Sequence, residues 1–170
     1  MLPGRLDEID TRLLEILQES GRTSQHDLAQ AVGLSSPAVG DRLRKLEERG
    51  VIRRFAAVLD PKVVGHDVTA FIAVGIAGSQ YYQGFRQRVL DHAEVLECHS
   101  ITGQGSHLIK IRTESTSGLE GLLAEIQSWP GVQWTNTSIV LSTVKETASL
   151  GLRPRPAGDT EARDAAASLP

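Results

Sequence analysis

Residues 24–54 read "SQHDLAQAVGLSSPAVGDRLRKLEERGVIRR", and the spacing of their apolar side chains decides how the first part of the chain folds. Leu28, Ala31 and Val32 recur at helical intervals, as do Val39, Leu43 and Leu46, with a tight turn at Gly33-Leu34 between the two runs. Small Ala29 and Gly33 stand where two helices must approach closely, which is helix-turn-helix spacing. Ahead of them Ile9, Leu13, Ile16 and Leu17 describe another helix. Asp7 and Ser24 are expected N-caps, and "SSP" at 35–37 offers a serine cap with Pro37 at the first helical position. Gly21, Gly33 and Gly50 are expected to close the three helices. After them "VIRRFAAVLDP" is rich in β-branched and apolar residues and predicts a strand, and "PKVVGHD" a linker.

Charge suggests what such a unit could bind. The chain of 170 residues carries a formal net charge of −3, with a pI near 5.9, so any nucleic-acid surface must be a local patch. One exists. Arg42, Arg44, Lys45, Arg49, Arg53 and Arg54 stand against only Glu47 and Glu48, which is what phosphate neutralisation requires. With Val39, Leu43 and Leu46 turned to the core, the other side of the third helix is left with Ser35, Ser36, Pro37, Gly40, Asp41 and Arg44. Arg44 suits guanine, and Asp41 either accepts from a cytosine amino group or pairs with Lys45. Gly40 either admits DNA close to the backbone or is tolerated drift. So few base readers predict a loosely defined palindrome, selected largely through DNA shape. The competing reading is a metabolite-binding or oligomeric assembly protein whose helical unit does not read DNA.

From Val68 the pattern changes. "VTAFIAVGI" predicts a buried strand, "YYQGFRQRVLDH" a helix, and "VLECHSI" and "HLIKIRT" two more strands. A second helix over Leu119, Leu122, Leu123 and Ile126 ends at Trp129 before Pro130-Gly131, and "VQWTNTSIVL" is a fourth strand. The order βαββαβ is ferredoxin-like. The fold class is therefore α+β, an N-terminal winged helix-turn-helix of three helices plus a C-terminal ferredoxin-like domain. The expected boundaries are 1–60 for the helical domain, 61–67 for the linker, 68–145 for the sheet domain and 146–170 for a disordered tail rich in Pro and Ala. The nearly unbroken apolar first strand suggests that a partner subunit covers the sheet face away from the helices.

Other classes are disfavoured. A single cysteine, Cys98, allows no intrachain disulfide and suggests a reducing cytoplasm. No apolar run approaches the ~20 residues of a membrane span. Cys98 and His99 are adjacent on a strand and point to opposite faces, so neither a metal nor a catalytic site is expected, and no cofactor. Cys98 is expected to share a face with Leu96, as a small core residue would. "GQGSH" at 103–107 lacks the Lys-Ser/Thr ending of a P-loop and the following helix of a dinucleotide turn, so it predicts a hairpin bend.

Taken in order, "LDEIDTRLLEILQESGR", "LAQAVGLS", "DRLRKLEERGVIRRFAAVLDP", "AFIAV", "VLECHSITG" and "GVQWTNTSIVL" resemble the Lrp/AsnC, or feast/famine, transcription regulators, colinearly from about Leu6 to Lys145. The resemblance implies that the first domain binds double-stranded operator DNA. It implies that the second pairs subunits through its sheet and binds an amino acid or related metabolite, in homodimers that build tetramers or octamers. The effector site implied comprises the turn Gly103, Gln104, Gly105, Ser106 and His107, with Thr135 and Thr137 from the fourth strand. The family's turn carries acids where this chain has Gln104 and Ser106. Two readings follow, an altered effector specificity or a regulator that needs no effector.

Overall fold

The computed structural model describes residues 6–152, which fall into two compact units. Of the described residues, one unit takes in 6–57 together with 146–152; the other spans Val58–Lys145. The expected linker at 61–67 thus groups with the sheet, and residues 146–152 of the expected tail group with the helices. The rest of that tail, 153–170, lies outside the described residues.

The helical unit holds α1 (Glu8–Glu19), α2 (Gln25–Val32) and α3 (Ser36–Glu48). Each begins where a side chain can accept from an otherwise orphaned backbone N–H. Asp7 accepts from Asp10 N–H at 2.7 Å and Asp10 returns the bond, closing a capping box. Ser24 caps α2 and Ser35 caps α3, which places Pro37 one residue inside the helix start. Gly33 ends α2 with φ 68°, a left-handed conformation that glycine adopts without a steric penalty. Gly50 is likewise left-handed, whereas α1 ends on Ser20 in extended geometry, so Gly21 is not needed as a left-handed stop. Leu13, Leu28, Val39, Leu43 and Leu46 form the core with Leu14 and Ala29.

The wing strand is a correction. Val51 and Ile52 N–H groups bond back to the Leu46 carbonyl at 2.9 and 3.2 Å, and residues 53–60 form no strand. Phe55, Val58 and Leu59 stay exposed. β-propensity describes how a segment fits a neighbouring strand, and among the described residues this segment has none beside it.

The sheet unit contains β1 (Val68–Ile76), α4 (Tyr82–Asp91) after one 3-10 turn, β2 (Val95–Ser100), β3 (His107–Thr113), α5 (Thr116–Ser128) and β4 (Val132–Ile139). The strands are antiparallel in the order β2-β3-β1-β4, as a ferredoxin-like path requires. Ala70, Ile72 and Val74 of β1 and Ile109 and Ile111 of β3 meet Phe85, Val89, Leu119, Leu122, Ile126 and Trp129 in one core. The strand period of two leaves Phe71, Ala73, Leu108, Trp134 and Asn136 on the other face. A register irregularity between Val95 and Glu97 puts Val95, not the exposed Leu96, against the core with Cys98. Where the sheet begins and ends, the chain is side by side with itself, since Val140 N–H donates to the Thr69 carbonyl at 2.9 Å. Among the described residues no helix is long and apolar enough to cross a membrane.

Candidate DNA interface and effector turn

Helix α3 sorts its side chains by its 3.6-residue period. Val39, Leu43 and Leu46 are buried, and Pro37, Asp41, Arg44 and Lys45 are exposed. Ser35 is the N-cap, its hydroxyl accepting from Ala38 N–H at 3.4 Å, and Ser36 is partly covered. Arg44 lies in the solvent-facing row, flanked by Glu48 at 2.8 Å and Asp41 at 3.4 Å. Asp41 thus pairs with Arg44 and not with Lys45. Both ion pairs are exposed, so they are weak and exchangeable for a phosphate or a base edge. Lys45, Arg53 and Arg54 are exposed and carry no ion pair among the described residues; Arg49 is exposed too.

Two of the predicted residues sit elsewhere. Arg42 turns from this row toward α1, where Nη1 meets Asp7 Oδ2 at 2.6 Å and Asp10 Oδ1 at 2.8 Å. It joins α3 to the cap of α1 and is not part of the exposed row. Gly40 faces the start of α2, where an added Cβ would lie 3.4 Å from Gln25 Oε1. The bare backbone therefore admits a glutamine side chain. Gly40 and Gln25 also line a shallow groove of about 380 Å3 with Leu17, Thr23, Arg44 and Phe55.

The second candidate site is the turn between β2 and β3. Gly103 and Gly105 have φ 109° and 89°, values open to glycine, and the turn is tied to β1. Ser106 donates to the Val74 carbonyl from its backbone N–H at 2.9 Å and its hydroxyl at 3.2 Å. A Cβ on Gly105 would lie 3.0 Å from that carbonyl oxygen and 3.2 Å from the Trp134 ring. Gly75 is covered by the same indole, so Trp134 of β4 spans β1 and the turn, a role with no signature in the sequence. Gln104 is exposed.

His107 is not a surface group. It is 1% exposed, packed edge-on against Tyr82 and tilted against Phe85, with ring centroids 5.0 and 4.8 Å away. Nδ1 is 3.2 Å from Ser106 Oγ, and Nε2 has no hydrogen-bond partner among the described residues. Burial, and secondly the Arg86 charge, push its pKa below the ordinary histidine value, so the ring is neutral. Across the sheet His107, Val74 and Thr135 form one row on the helix-covered face, and Thr137 sits opposite Ile72 on that face. Thr135 Oγ1 accepts from Gln127 at 2.8 Å. The predicted effector residues thus gather at one end of the sheet, with Gly103 and Gln104 exposed and His107 enclosed.

No group of three or more His, Cys, Asp or Glu side chains able to hold a metal is found among the described residues. Cys98 lies half-buried opposite Ile109, and burial raises its thiol pKa, which keeps it protonated and unreactive. His99 is turned to the other face, beside Glu97 at 3.3 Å.

Comparison with known proteins agrees with this division. A family described as "Winged helix-turn-helix DNA-binding" matches residues 6–53, and one described as "Lrp/AsnC ligand binding domain" matches residues 69–150. The HTH-type transcriptional regulator FL11 of Pyrococcus abyssi is 36% identical, over 87% of this chain and 97% of its own length. The leucine-responsive regulatory protein of Escherichia coli is 32% identical, over 90% and 96%. Among solved structures, a transcriptional regulator from Neisseria meningitidis in complex with L-methionine superposes with a TM-score of 0.82 at 34% identity, covering 86% of this chain and 96% of that one. A feast or famine regulatory protein from Mycobacterium tuberculosis, also complexed with L-methionine, gives 0.80 at 34%, covering 85% and 98%. These relatives are DNA-binding regulators and not enzymes. With a helix-turn-helix unit and a ligand-binding sheet unit in the same order, this chain belongs to the Lrp/AsnC family of DNA-binding transcriptional regulators.

Proposed function

We propose that the solvent-facing row of α3, with the basic run after it, is the surface that reads duplex DNA. In this assignment Arg44 and Asp41 face base edges, and Ser35, Ser36 and Pro37 approach the groove with the helix N-terminus. Lys45, Arg49, Arg53 and Arg54 neutralise phosphates. The observation that carries it is the division of the arginines: Arg42 is held against α1, while Arg44, Arg53 and Arg54 are exposed. A gel shift with DNA from upstream of its own coding region tests the assignment. Salt-sensitive retardation that is lost in Arg44→Ala/Lys45→Ala is the expected result. Absence of retardation at low salt overturns it.

The turn at 103–107 is the effector wall in the same proposal, with Gly103, Gln104 and the backbone N–H groups of the turn as the accessible ligand contacts. L-methionine in two structural relatives supports an amino acid as the ligand class. Thermal stabilisation across the amino acids tests this, because a ligand at 100 times its Kd adds about 2.7 kcal/mol. A flat screen, with DNA binding unmoved by the same compounds, overturns small-molecule control. Homodimers form through the sheet face that bears Phe71, Ala73, Leu108 and Trp134, where Phe71 and Trp134 are 38% and 41% exposed in the single chain.

A further inference from the structure

The two edges of the sheet differ. β2, at one end of the order β2-β3-β1-β4, carries Glu97, His99 and a register irregularity, features that discourage a further strand. β4, at the other end, reads "VQWTNTSI", and no Asp, Glu, Lys, Arg or His occurs from Ile126 through Val144. Leu141 and Val144, just past the strand, are almost wholly exposed.

The register fixes which backbone groups the β4 edge presents. Val140 N–H bonds to the Thr69 carbonyl, and Ser138 and Asn136 stand opposite Phe71 and Ala73 in the same phase, so these residues turn their N–H and C=O toward β1. Thr135, Thr137 and Ile139 turn theirs outward, where no strand lies beside them among the described residues. Along the same edge runs a groove of about 410 Å3, lined by Leu119, Glu120, Leu123, Ala124, Gln127 and Ile139.

A second copy of the same edge matches both features. Antiparallel pairing of β4 with its own copy, about a two-fold axis at Thr137, sets Thr137 against the partner's Thr137 and Thr135 against the partner's Ile139. Each outward N–H then meets an outward C=O, and threonines directly opposite each other are a favourable cross-strand pair. Gln127 bonds Thr135, and Ile139 lines the groove beside Leu119, so the middle of α5 at Leu123-Ala124 stands level with that axis. The two α5 helices then lie side by side and close their grooves on each other. Glu120 comes opposite the partner's Gln127, a carboxylate facing an amide donor, and no like charges are brought together.

We propose that β4 and α5 form a second self-association surface, specific for another copy of this chain, which joins dimers through a sheet continuous across the two-fold axis. It goes beyond the open-face dimer described above and uses a different side of the same sheet unit.

The test is sedimentation velocity of the full chain from dilute to concentrated solution. The unaltered chain is expected to be a dimer when dilute and a tetramer when concentrated. Thr137→Pro removes an outward N–H and no bond to β1, so it folds and stops at the dimer. Ala124→Glu and Ala124→Lys, on an exposed position, each set like charges across the axis and also stop at the dimer. An equimolar mixture of these two recovers the tetramer. Circular dichroism checks the fold of each variant, and the Ala124 pair carries the test on its own if Thr137→Pro does not fold. An unaltered chain that never exceeds the dimer overturns the surface, as does a mixture of the Ala124 variants that assembles no further than either alone. Monomers in place of dimers in all the variants make β4 the dimer interface, which supports the surface and overturns the open-face reading instead.

Discussion

Arg42 of α3 reaches Asp10 of α1 with Nη1 to Oδ1 at 2.8 Å, and the Asp10 side chain is only 9% exposed. The same guanidinium holds Asp7, the residue that caps α1. Burial acts on the Asp7 carboxyl to raise its pKa, but the Asp10 N–H and the Arg42 guanidinium outweigh it and hold the group below the usual carboxylate value.

Removing the guanidinium leaves the covered Asp10 carboxylate with only the long bond from Asp7 N–H at 3.5 Å, so Arg42→Ala destabilises the helical unit by about 1–3 kcal/mol. Urea denaturation followed by circular dichroism measures this. The salt slope of DNA binding stays where it was under conditions that keep the protein folded. Stability from Asp7 is present above its unfolded pKa of about 3.9 and is lost as pH falls through the lower folded value. Acid unfolding of Arg42→Ala accordingly begins at higher pH.

His107 gives a pH dependence of its own. Its folded pKa lies below the unfolded value of about 6.5, so below that pH the unfolded chain binds more protons than the native one. Stability of the sheet unit is therefore full above about 6.5 and declines as pH falls toward the folded value. His107→Phe keeps the ring against Tyr82 and Phe85, removes the unpartnered Nε2 and flattens this part of the profile. Denaturation midpoints at pH 7.5 and 5.5, compared between the two proteins, isolate the effect from the other histidines. Equal pH sensitivity in both would refute it.

Trp134 over Gly75 can be tested by crowding. A methyl group at Gly75 collides with the indole, so Gly75→Ala displaces Trp134 or costs about 1–3 kcal/mol of overpacking. Trp134→Ala makes the same glycine substitution nearly neutral, a coupling that a double-mutant cycle reads directly. Because Trp129 is 4% exposed in the core, a red-shifted emission in Gly75→Ala reports Trp134.

Phe71 lies in the middle of the open sheet face. A lysine there places a charge in the proposed subunit interface and does not disturb the helix-covered core. Sedimentation analysis is expected to show a dimer for the unaltered chain and a folded monomer for Phe71→Lys. A dimer of undiminished affinity moves the interface elsewhere.

The elements that could be read from sequence are those set by local chemistry. Asp7, Ser24 and Ser35 cap helices because each side chain finds a backbone N–H within its own turn. β1 was legible as a nearly unbroken apolar run, and β3 because a sheet covered on one side imposes a period of two on its residues. What escaped depends on distant partners. Residues 53–60 have strand composition but no strand beside them. Arg42 looks like its basic neighbours until Asp7 and Asp10, more than thirty residues earlier, are placed next to it. Leu96 and Cys98 share a face only in a regular strand, and the irregularity after Val95 removes that premise. Of the turn at 103–107, the glycines were legible as a bend, whereas the enclosure of His107 by α4 was not.

The hydrogen bond from Val140 to Thr69 puts the entrance and the exit of the sheet unit within one strand spacing of each other. In evolutionary terms the unit behaves as a cassette with adjacent ports. A relative's sheet unit can be exchanged between those two points without rerouting the chain on either side, so the sheet unit and the helical unit are free to diverge separately.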